Sequence, residues 1–329
     1  MNNITFNIAV IGAGQLGSRH LQGILKSKLS LNVFVVDPFQ GSLDTAKVRA
    51  GEIAHHHNIT FHSTIDVLPE QLDFVLIASN ADKRSEITKS LLENKKVTNL
   101  VLEKVLFQKL EDYQYIENIL EKYQVKTWVN HPRRSQLFYK ELRQLLKDEK
   151  KLEFSFFGGN WGLACNGLHM LDIISYLTDS PIQNISTQHL DSKILESKRA
   201  GNIEITGTLM GTTENNNRFS ITSTYSEETV HPLSLTINTA KKRFFVQEGL
   251  TCFLVESSIR NGFKPETKSF PLIFQSDLSD QLVTDILTNQ QCDLPTYAEA
   301  KSTHTIFITE ILDFYNRTTQ QKVSICPIT

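Results

Sequence analysis

Cysteine is scarce in this chain: Cys165, Cys252, Cys292 and Cys326 are the only four in 329 residues, far apart and without a C-x-x-C pair. That spacing indicates neither a zinc site nor a disulfide framework, and it suits reduced thiols in a cytoplasmic protein. No metal is expected. Long hydrophobic runs are missing too, since none reaches the roughly eighteen residues of a membrane span. Charge of one sign is not in excess: 34 Lys and Arg face 36 Asp and Glu, a formal net of −2, so no global field gathers nucleic acid or an anionic membrane. No cationic stretch precedes the first apolar segment, which runs into glycines rather than a cleavage site, so no leader peptide is expected. There is no internal repeat and no low-complexity linker. What is present, 40% hydrophobic and 21% charged residues, is ordinary for soluble protein and enough for two domains with filled cores.

From residue 4 to about 130, short apolar runs alternate with helical patterns, which predicts a parallel sheet covered by helices. The expected strands are Ile4 to Ile11, Leu31 to Val36, Ile59 to His62, Phe74 to Ala78, Asn99 to Leu102 and Lys126 to Asn130. Helical spacing of apolar residues places helices over Gln15 to Lys26, Ser42 to His57, Asp82 to Asn94 and Leu110 to Tyr123. Beyond residue 150, strand-like segments follow one another: Leu152 to Phe157, Ile203 to Met210, Phe219 to Thr224, Leu233 to Asn238, Arg243 to Gln247 and Cys252 to Glu256. Turn-rich stretches such as Glu214-Asn215-Asn216-Asn217 join them. Helical patterns return at Asn166 to Leu177, Leu278 to Asn289 and Tyr297 to Tyr315. The expected architecture is an α/β Rossmann domain over residues 1–130 and, over 131–329, an α+β domain with a large, mostly antiparallel open sheet.

The first strand, Ile8-Ala9-Val10-Ile11, runs into Gly12-Ala13-Gly14-Gln15-Leu16-Gly17 and then a helix. In such a turn the first glycine permits the bend, the second lets a pyrophosphate approach the backbone, and the third lets helix and strand pack closely. The helix start offers unpaired N–H groups and a positive dipole end to the phosphates. Asp37 closes the second strand about twenty residues after Gly17, where a carboxylate accepts hydrogen bonds from the ribose hydroxyls and repels a 2′-phosphate. NAD is therefore favoured over NADP, with Pro38 following Asp37 where an arginine would suit the phosphate. Ser79 and Asn80 end the fourth strand at the carboxyl edge of the sheet, where they would line the cofactor.

Glu103-Lys104 ends the fifth strand on that same edge, which places Glu103 with the cofactor-lining residues and makes Lys104 a candidate to exchange a proton with a substrate hydroxyl. Further on, Gly158-Gly159-Asn160-Trp161-Gly162 leads into Leu163-Ala164-Cys165-Asn166-Gly167-Leu168-His169-Met170-Leu171-Asp172. His169 and Asp172 are three apart and share a helix face, and neutral imidazole can donate or accept in a substrate hydrogen bond. Trp161, Asn166, His169 and Asp172 are the candidate substrate residues of this stretch.

Taken in order, the glycine turn, Glu103-Lys104, Asn130-His131-Pro132-Arg133-Arg134 and the glycine-rich stretch ending in His169-Met170-Leu171-Asp172 resemble the Gfo/Idh/MocA family of glucose-fructose oxidoreductase and inositol dehydrogenase. The resemblance spans nearly the whole chain. It implies a nicotinamide-dependent dehydrogenase or reductase acting on a sugar, cyclitol, amino sugar or sugar nucleotide. It also implies a second-domain sheet that forms the interface of a homodimer or homotetramer. By that resemblance Lys104 matches the lysine at the reacting hydroxyl, His169 the histidine beside it, and Asn130, Arg133 and Arg134 fall where the family lines its substrate cleft. The two arginines would suit a carboxylate or phosphate, or equally serve as helix-surface charges. Two positions depart from the pattern: Val105 stands where the family writes proline after the lysine, and Cys165 where it often has aspartate, with Asn166 next to it.

Other motifs carry less. Tyr297-Ala298-Glu299-Ala300-Lys301 spells Y-x-x-x-K but lies nearly a whole chain from the glycine turn, at the start of a carboxyl-terminal helix. His55-His56-His57 cannot share a helix face and reads as a solvated helix end. Lys147-Asp148-Glu149-Lys150-Lys151 reads as an exposed connection. The function expected is a cytoplasmic oxidoreductase moving hydride between nicotinamide and a hydroxyl or carbonyl carbon of a carbohydrate-like small molecule, with no nucleic-acid or membrane partner. The alternative is a non-catalytic NAD- or sugar-sensing regulator of the same fold.

Overall fold

The computed structural model describes residues 4–225 and 231–329. The chain forms two compact units, one comprising Met1–Phe107, Glu111–Pro132 and Ile273–Ala298, the other Gln108–Leu110, Arg133–Leu272 and Glu299–Thr329. No helix among the described residues is long and apolar enough to cross a membrane.

In the first unit, β1 (Thr5–Ile11), β2 (Ser30–Val36), β3 (Asn58–His62), β4 (Gln71–Ile77), β5 (Lys96–Leu102) and β6 (Lys126–Val129) form one sheet in the order β3-β2-β1-β4-β5-β6. Every pairing is parallel. The strands are buried on both faces, which is why Ile8 to Ile11 and Phe74 to Ile77 read as unbroken apolar runs rather than alternating ones. Between the strands run α1 (Gln15–Ile24), α2 (Gln40–Gly51), α3 (Ala81–Asn94) and α4 (Leu110–Tyr123). Strand order reverses between β1 and β4, and ligands of such sheets bind at that switch point, outside the carboxyl ends of the strands. The glycine turn sits there. The helix expected from Ser42 to His57 ends at Gly51, so the three histidines lie in the connection to β3, where His55 and His56 are exposed and His57 is buried.

The second unit contains α5 (Leu137–Leu146), β7 (Glu153–Gly159), α6 (Leu163–Thr178), β8 (Ile182–Leu190), the short pair β9 (Leu195–Glu196) and β10 (Ile203–Glu204), then β11 (Gly207–Thr213), β12 (Arg218–Thr224), β13 (His231–Asn238), β14 (Lys242–Gln247), β15 (Thr251–Ser258) and β16 (Glu266–Pro271). Eight of these form one sheet in the order β16-β15-β14-β13-β7-β12-β11-β8. Only β7 and β12 run parallel; the remaining neighbours are antiparallel. Alternation along β7 and β14 buries Phe154, Phe156, Phe244 and Val246 and leaves Phe157 and Phe245 exposed, so one face of the sheet carries the core. α7 (Gln275–Asn289) and α8 (Tyr297–Thr319) complete the chain.

A boundary at residue 130 assigns α7 to the second domain, but α7 packs in the first unit. Leu282, Val283, Ile286 and Leu287 join Leu21 and Ile24 of α1 and its C-cap Leu25 in one core cluster, each buried side chain contributing about 1.5–3 kcal/mol relative to exposure. Gly23 makes this contact close: a Cβ there would stand 2.7 Å from Ser279 Cβ and 3.1 Å from the Ser276 carbonyl. The strand expected from Ile203 to Met210 is divided into β10 and β11, because the backbone turns at Gly207 (φ +99°), where a Cβ would lie 2.5 Å from the His189 carbonyl.

Candidate functional site

Gly12 adopts φ +91°, and a Cβ on it would come within 2.7 Å of Ser79 N; one on Gly17 would come within 1.8 Å of the Gly12 carbonyl. These two glycines are required by the turn's own packing. Gly14 differs, since nothing stands within 4 Å of where its Cβ would be. It is the N-cap of α1, which has no side-chain cap and no acidic residue in its first turn. The first amides of that helix therefore have no carboxylate competing for them, as an anion site needs. Ser79 Oγ is buried without a hydrogen-bond partner among the described residues, and Asn80 is exposed at the N-cap of α3. Gln15 is exposed and held by Arg49, which donates to its carbonyl (2.9 Å) and its Oε1 (2.6 Å); Leu16 is half-buried. An open second glycine, an uncapped helix start and an orphaned hydroxyl fit a dinucleotide.

Asp37 is buried at the end of β2, and each carboxylate oxygen already accepts one backbone N–H: Oδ2 from Ala13 (2.8 Å) and Oδ1 from Phe39 (2.9 Å). It thus braces the glycine turn, and each oxygen retains capacity for a second hydrogen. Pro38 and Phe39 stand exposed beside it.

Glu103 is turned into the protein rather than toward solvent, 3% exposed. Its Oε1 accepts from His20 Nε2 (2.8 Å) and from Asn130 Nδ2 (2.5 Å). His20 Nδ1 meets Ser279 Oγ (2.8 Å), and Asn130 Nδ2 also reaches Gln275 Oε1 (3.1 Å). One buried carboxylate thus ties together α1, the ends of β5 and β6, and α7. Burial opposes its charge, but the hydrogen bond and charge of His20, the charge of Arg84 and the Asn130 amide outweigh that and hold the carboxyl below the usual range. Sequence reasoning named Glu103 and Asn130 as cofactor and substrate residues; both side chains are engaged in this network, Asn130 being 2% exposed.

Lys104 follows, half-buried, on the same carboxyl edge as the glycine turn. The Lys104–Val105 peptide is cis. Arg84 of α3, buried, fixes the chain beyond it by donating to the carbonyls of Val105 and Leu106 (2.9 Å to the latter) and to that of Ser79. Tyr297 is committed elsewhere: its hydroxyl donates to the Tyr113 carbonyl (2.8 Å), and burial pushes the phenol well up, which removes it as a proton donor near neutrality.

In the second unit, Arg133 and Arg134 are each bound to a carboxylate. Arg133 makes a two-pronged pair with Glu248 (3.0 and 2.9 Å), which also accepts from Tyr139 (2.7 Å). Arg134 grips Asp172 through Nε and Nη2 (3.0 and 2.7 Å). Burial lifts the Asp172 carboxyl to about 6, against the pull of Arg134. The guanidinium forks that suggested an anionic ligand are thus occupied by protein carboxylates.

α6 begins at Leu163, a turn earlier than its apolar pattern indicates, after Gly162 in a left-handed conformation (φ +81°). Cys165 and Asn166 therefore lie in its first turn, and buried His169 and Asp172 one and two turns on. Asn166 Nδ2 donates to the Trp161 carbonyl (2.7 Å), and Trp161 Nε1 to that of Thr222 (2.9 Å). Trp161, Cys165 and Asn166 line a cavity of about 580 Å³. Glu204 lines it as well. Sequence reasoning missed Glu204, which sits on a two-residue strand with no periodicity. His20 was missed too, although it falls on the buried face of α1 with Gly17, Leu21 and Ile24.

Residues 6–131 match the family model described as the GFO_IDH_MocA oxidoreductase family, NAD-binding Rossmann fold. Over these residues, which are less than half of the chain, it is similar to the NAD-binding domain of the Gfo/Idh/MocA oxidoreductases. No curated protein matches the sequence significantly. Among solved structures, an oxidoreductase from Agrobacterium radiobacter in complex with NAD+, L-tartaric acid and magnesium is 15% identical, with 92% of this chain and 94% of that one covered and a TM-score of 0.73. The scyllo-inositol dehydrogenase of Lactobacillus casei is 17% identical (96% and 98% covered, TM-score 0.67). The transcriptional regulator Gal80p of Kluyveromyces lactis is 14% identical (96% and 94% covered, TM-score 0.74). At such identities the likeness is one of fold, and that fold serves a dehydrogenase and a regulator alike.

Proposed function

We propose that this protein is a Gfo/Idh/MocA-type, NAD-dependent oxidoreductase of a carbohydrate-like small molecule, acting at a hydroxyl or carbonyl carbon. The observation that carries the reading is the placement of Lys104: half-buried at the end of β5, on the sheet edge that holds the glycine turn, with the backbone beyond it fixed by Arg84. Gly12, Ala13, Gly14, Gln15, Leu16 and Gly17 would receive the dinucleotide, with Asp37, Pro38, Ser79 and Asn80 around it. When bound, the nicotinamide supplies the hydride acceptor or donor. Lys104 Nζ takes the proton from the substrate hydroxyl in oxidation and returns it in reduction. His169 orients the substrate oxygen, and Trp161 and Asn166 bind the substrate. Glu103, Asn130, Arg133, Arg134 and Asp172 act at one remove, by holding the backbone that presents these groups. The residual hydrogen-bonding capacity of Asp37, and its charge, favour NAD over NADP.

The exposed sheet face bearing Phe157 and Phe245, with Met210 and Phe253 also exposed, is the proposed meeting surface of a homodimer or homotetramer. Cys165, a thiol in a cavity where a carboxylate would suit hydroxyl chemistry, favours the second reading, a ligand sensor without turnover. The experiment that separates them mixes purified protein and NAD with a panel of cyclitols, aldoses and sugar nucleotides and follows NADH absorbance. Conversion with one member is expected; tight NAD binding without conversion across the panel favours the sensor.

A further inference from the structure

The second-unit cavity holds a carboxylate, Glu204, beside Trp161 and Asn166. Its volume, about 580 Å³, is within the roughly 300–1,000 Å³ of small-molecule sites. Of its charged lining residues, Glu196, Lys198 and Arg199 are exposed on β9 and the turn after it, whereas Glu204 is half-buried and fixed. Glu204 Oε1 accepts from Ala164 N in the first turn of α6 (2.5 Å) and from Ile205 N (3.0 Å). The backbone on either side is held as well: Ile203 N donates to the Pro327 carbonyl (2.8 Å), Ile205 is fully buried, and Thr206 Oγ1 donates to Asp191 (2.6 Å). A carboxylate anchored in this way is preorganised rather than free to follow solvent.

Its other oxygen points to Gly162. A Cβ at Gly162 would lie 3.0 Å from Glu204 Oε2 and 3.2 Å from Asn166 Nδ2. Gly162 thus lets an acceptor and an amide donor of the cavity wall close in on one point of the backbone. A hydroxyl both donates and accepts, so this pairing matches it. Trp161, pinned through its indole N–H, adds a flat apolar wall to the same cavity, suited to the C–H face of a saturated ring.

We infer that Glu204 is a substrate-binding residue, accepting the hydrogen of a ring hydroxyl at Oε2 while Asn166 serves the same ring from the adjoining part of the cavity wall. This rests on the reading above that Trp161 and Asn166 bind substrate. It also gives the cavity a carboxylate although the first turn of α6 carries Cys165. Glu204 then selects polyhydroxylated rings over deoxygenated ones.

The test is Glu204→Gln. The variant keeps an oxygen for the Ala164 and Ile205 amides and replaces the charged acceptor by an NH2 group. Binding of myo-inositol, D-glucose and N-acetyl-D-glucosamine to the full-length protein is measured by calorimetry with NADH present, alongside NADH affinity, thermal midpoint and NAD reduction. The expected result is wild-type binding of at least one of these and a loss of about tenfold or more in the variant, as for a hydrogen bond to a charged group, with NADH affinity and midpoint unchanged. Binding of none by the wild type, or equal binding by both proteins, overturns the role of Glu204. Glu204-dependent binding without any NAD reduction leaves that role standing and counts against the oxidoreductase reading; turnover indifferent to Glu204 does the reverse.

Discussion

Replacing Glu103 by alanine tests the buried network beneath the cofactor turn. In the native protein its carboxylate is the shared acceptor of His20, fully buried, and Asn130, 2% exposed. Removing it strands N–H groups of both donors away from water, at about 1–3 kcal/mol for each buried group left unsatisfied. That is large beside the roughly 5–15 kcal/mol that holds a typical domain folded. Glu103→Gln keeps an oxygen for both donors and loses only the charge, so its cost is smaller, about 1–2 kcal/mol. The two variants should also part company with pH. Because the folded carboxyl is held below its unfolded value of 4.5, its contribution is complete above that pH and is lost as pH falls through the lower, folded value. The difference between wild type and Glu103→Gln should stay constant from neutral pH down to about 5 and shrink in more acid solution. Urea unfolding followed by Trp128 fluorescence in a Trp161→Phe background reports on the first unit, where Trp128 is buried in β6. A cost below about 1 kcal/mol for Glu103→Ala, or a difference that widens toward acid, refutes the argument.

Gly17→Ala places a methyl 1.8 Å from the Gly12 carbonyl; the forced shift, about 1–3 kcal/mol, should weaken NADH binding roughly ten- to hundredfold in a fluorescence titration, and an unchanged affinity would count against the turn as the cofactor site. Asp37→Ala should loosen the turn by freeing the Ala13 and Phe39 amides and narrow the preference for NADH over NADPH, measured as the ratio of the two dissociation constants; an unaltered ratio removes Asp37 from cofactor choice. Arg134→Met removes the partner that holds down Asp172, so the carboxyl should titrate above its present value of about 6, read by carboxyl-detected NMR. Its stability cost should be greatest above that pH and shrink below it, where a protonated Asp172 needs no cation; a cost independent of pH contradicts this.

What the sequence made legible follows from which interactions are local. The glycine turn, Asp37 and the six parallel strands announce themselves because each rests on neighbours a few residues away or on burial of both faces. The edge strands β8 and β16 did not: Ile182–Leu190 and Glu266–Pro271 are mostly polar, as sheet edges are, and pair on one side only. α5 carries Phe138, Tyr139, Leu142 and Leu146 at helical spacing, but at ten residues it is short and runs directly into the charged connection after it. α7 returns to the first unit across some 140 residues through contacts no spacing rule contains. The same limit hid the partners of Glu103, Arg133 and Arg134, whose charges suggested ligands and whose carboxylate and imidazole counterparts come from distant segments.

The most direct test of the central claim is the rate of NADH formation by wild type and Lys104→Met with one polyol substrate, measured together with NADH affinity. The account predicts a fall in turnover of about 10²–10⁴-fold with NADH affinity unchanged. Equal turnover in the two proteins would contradict it.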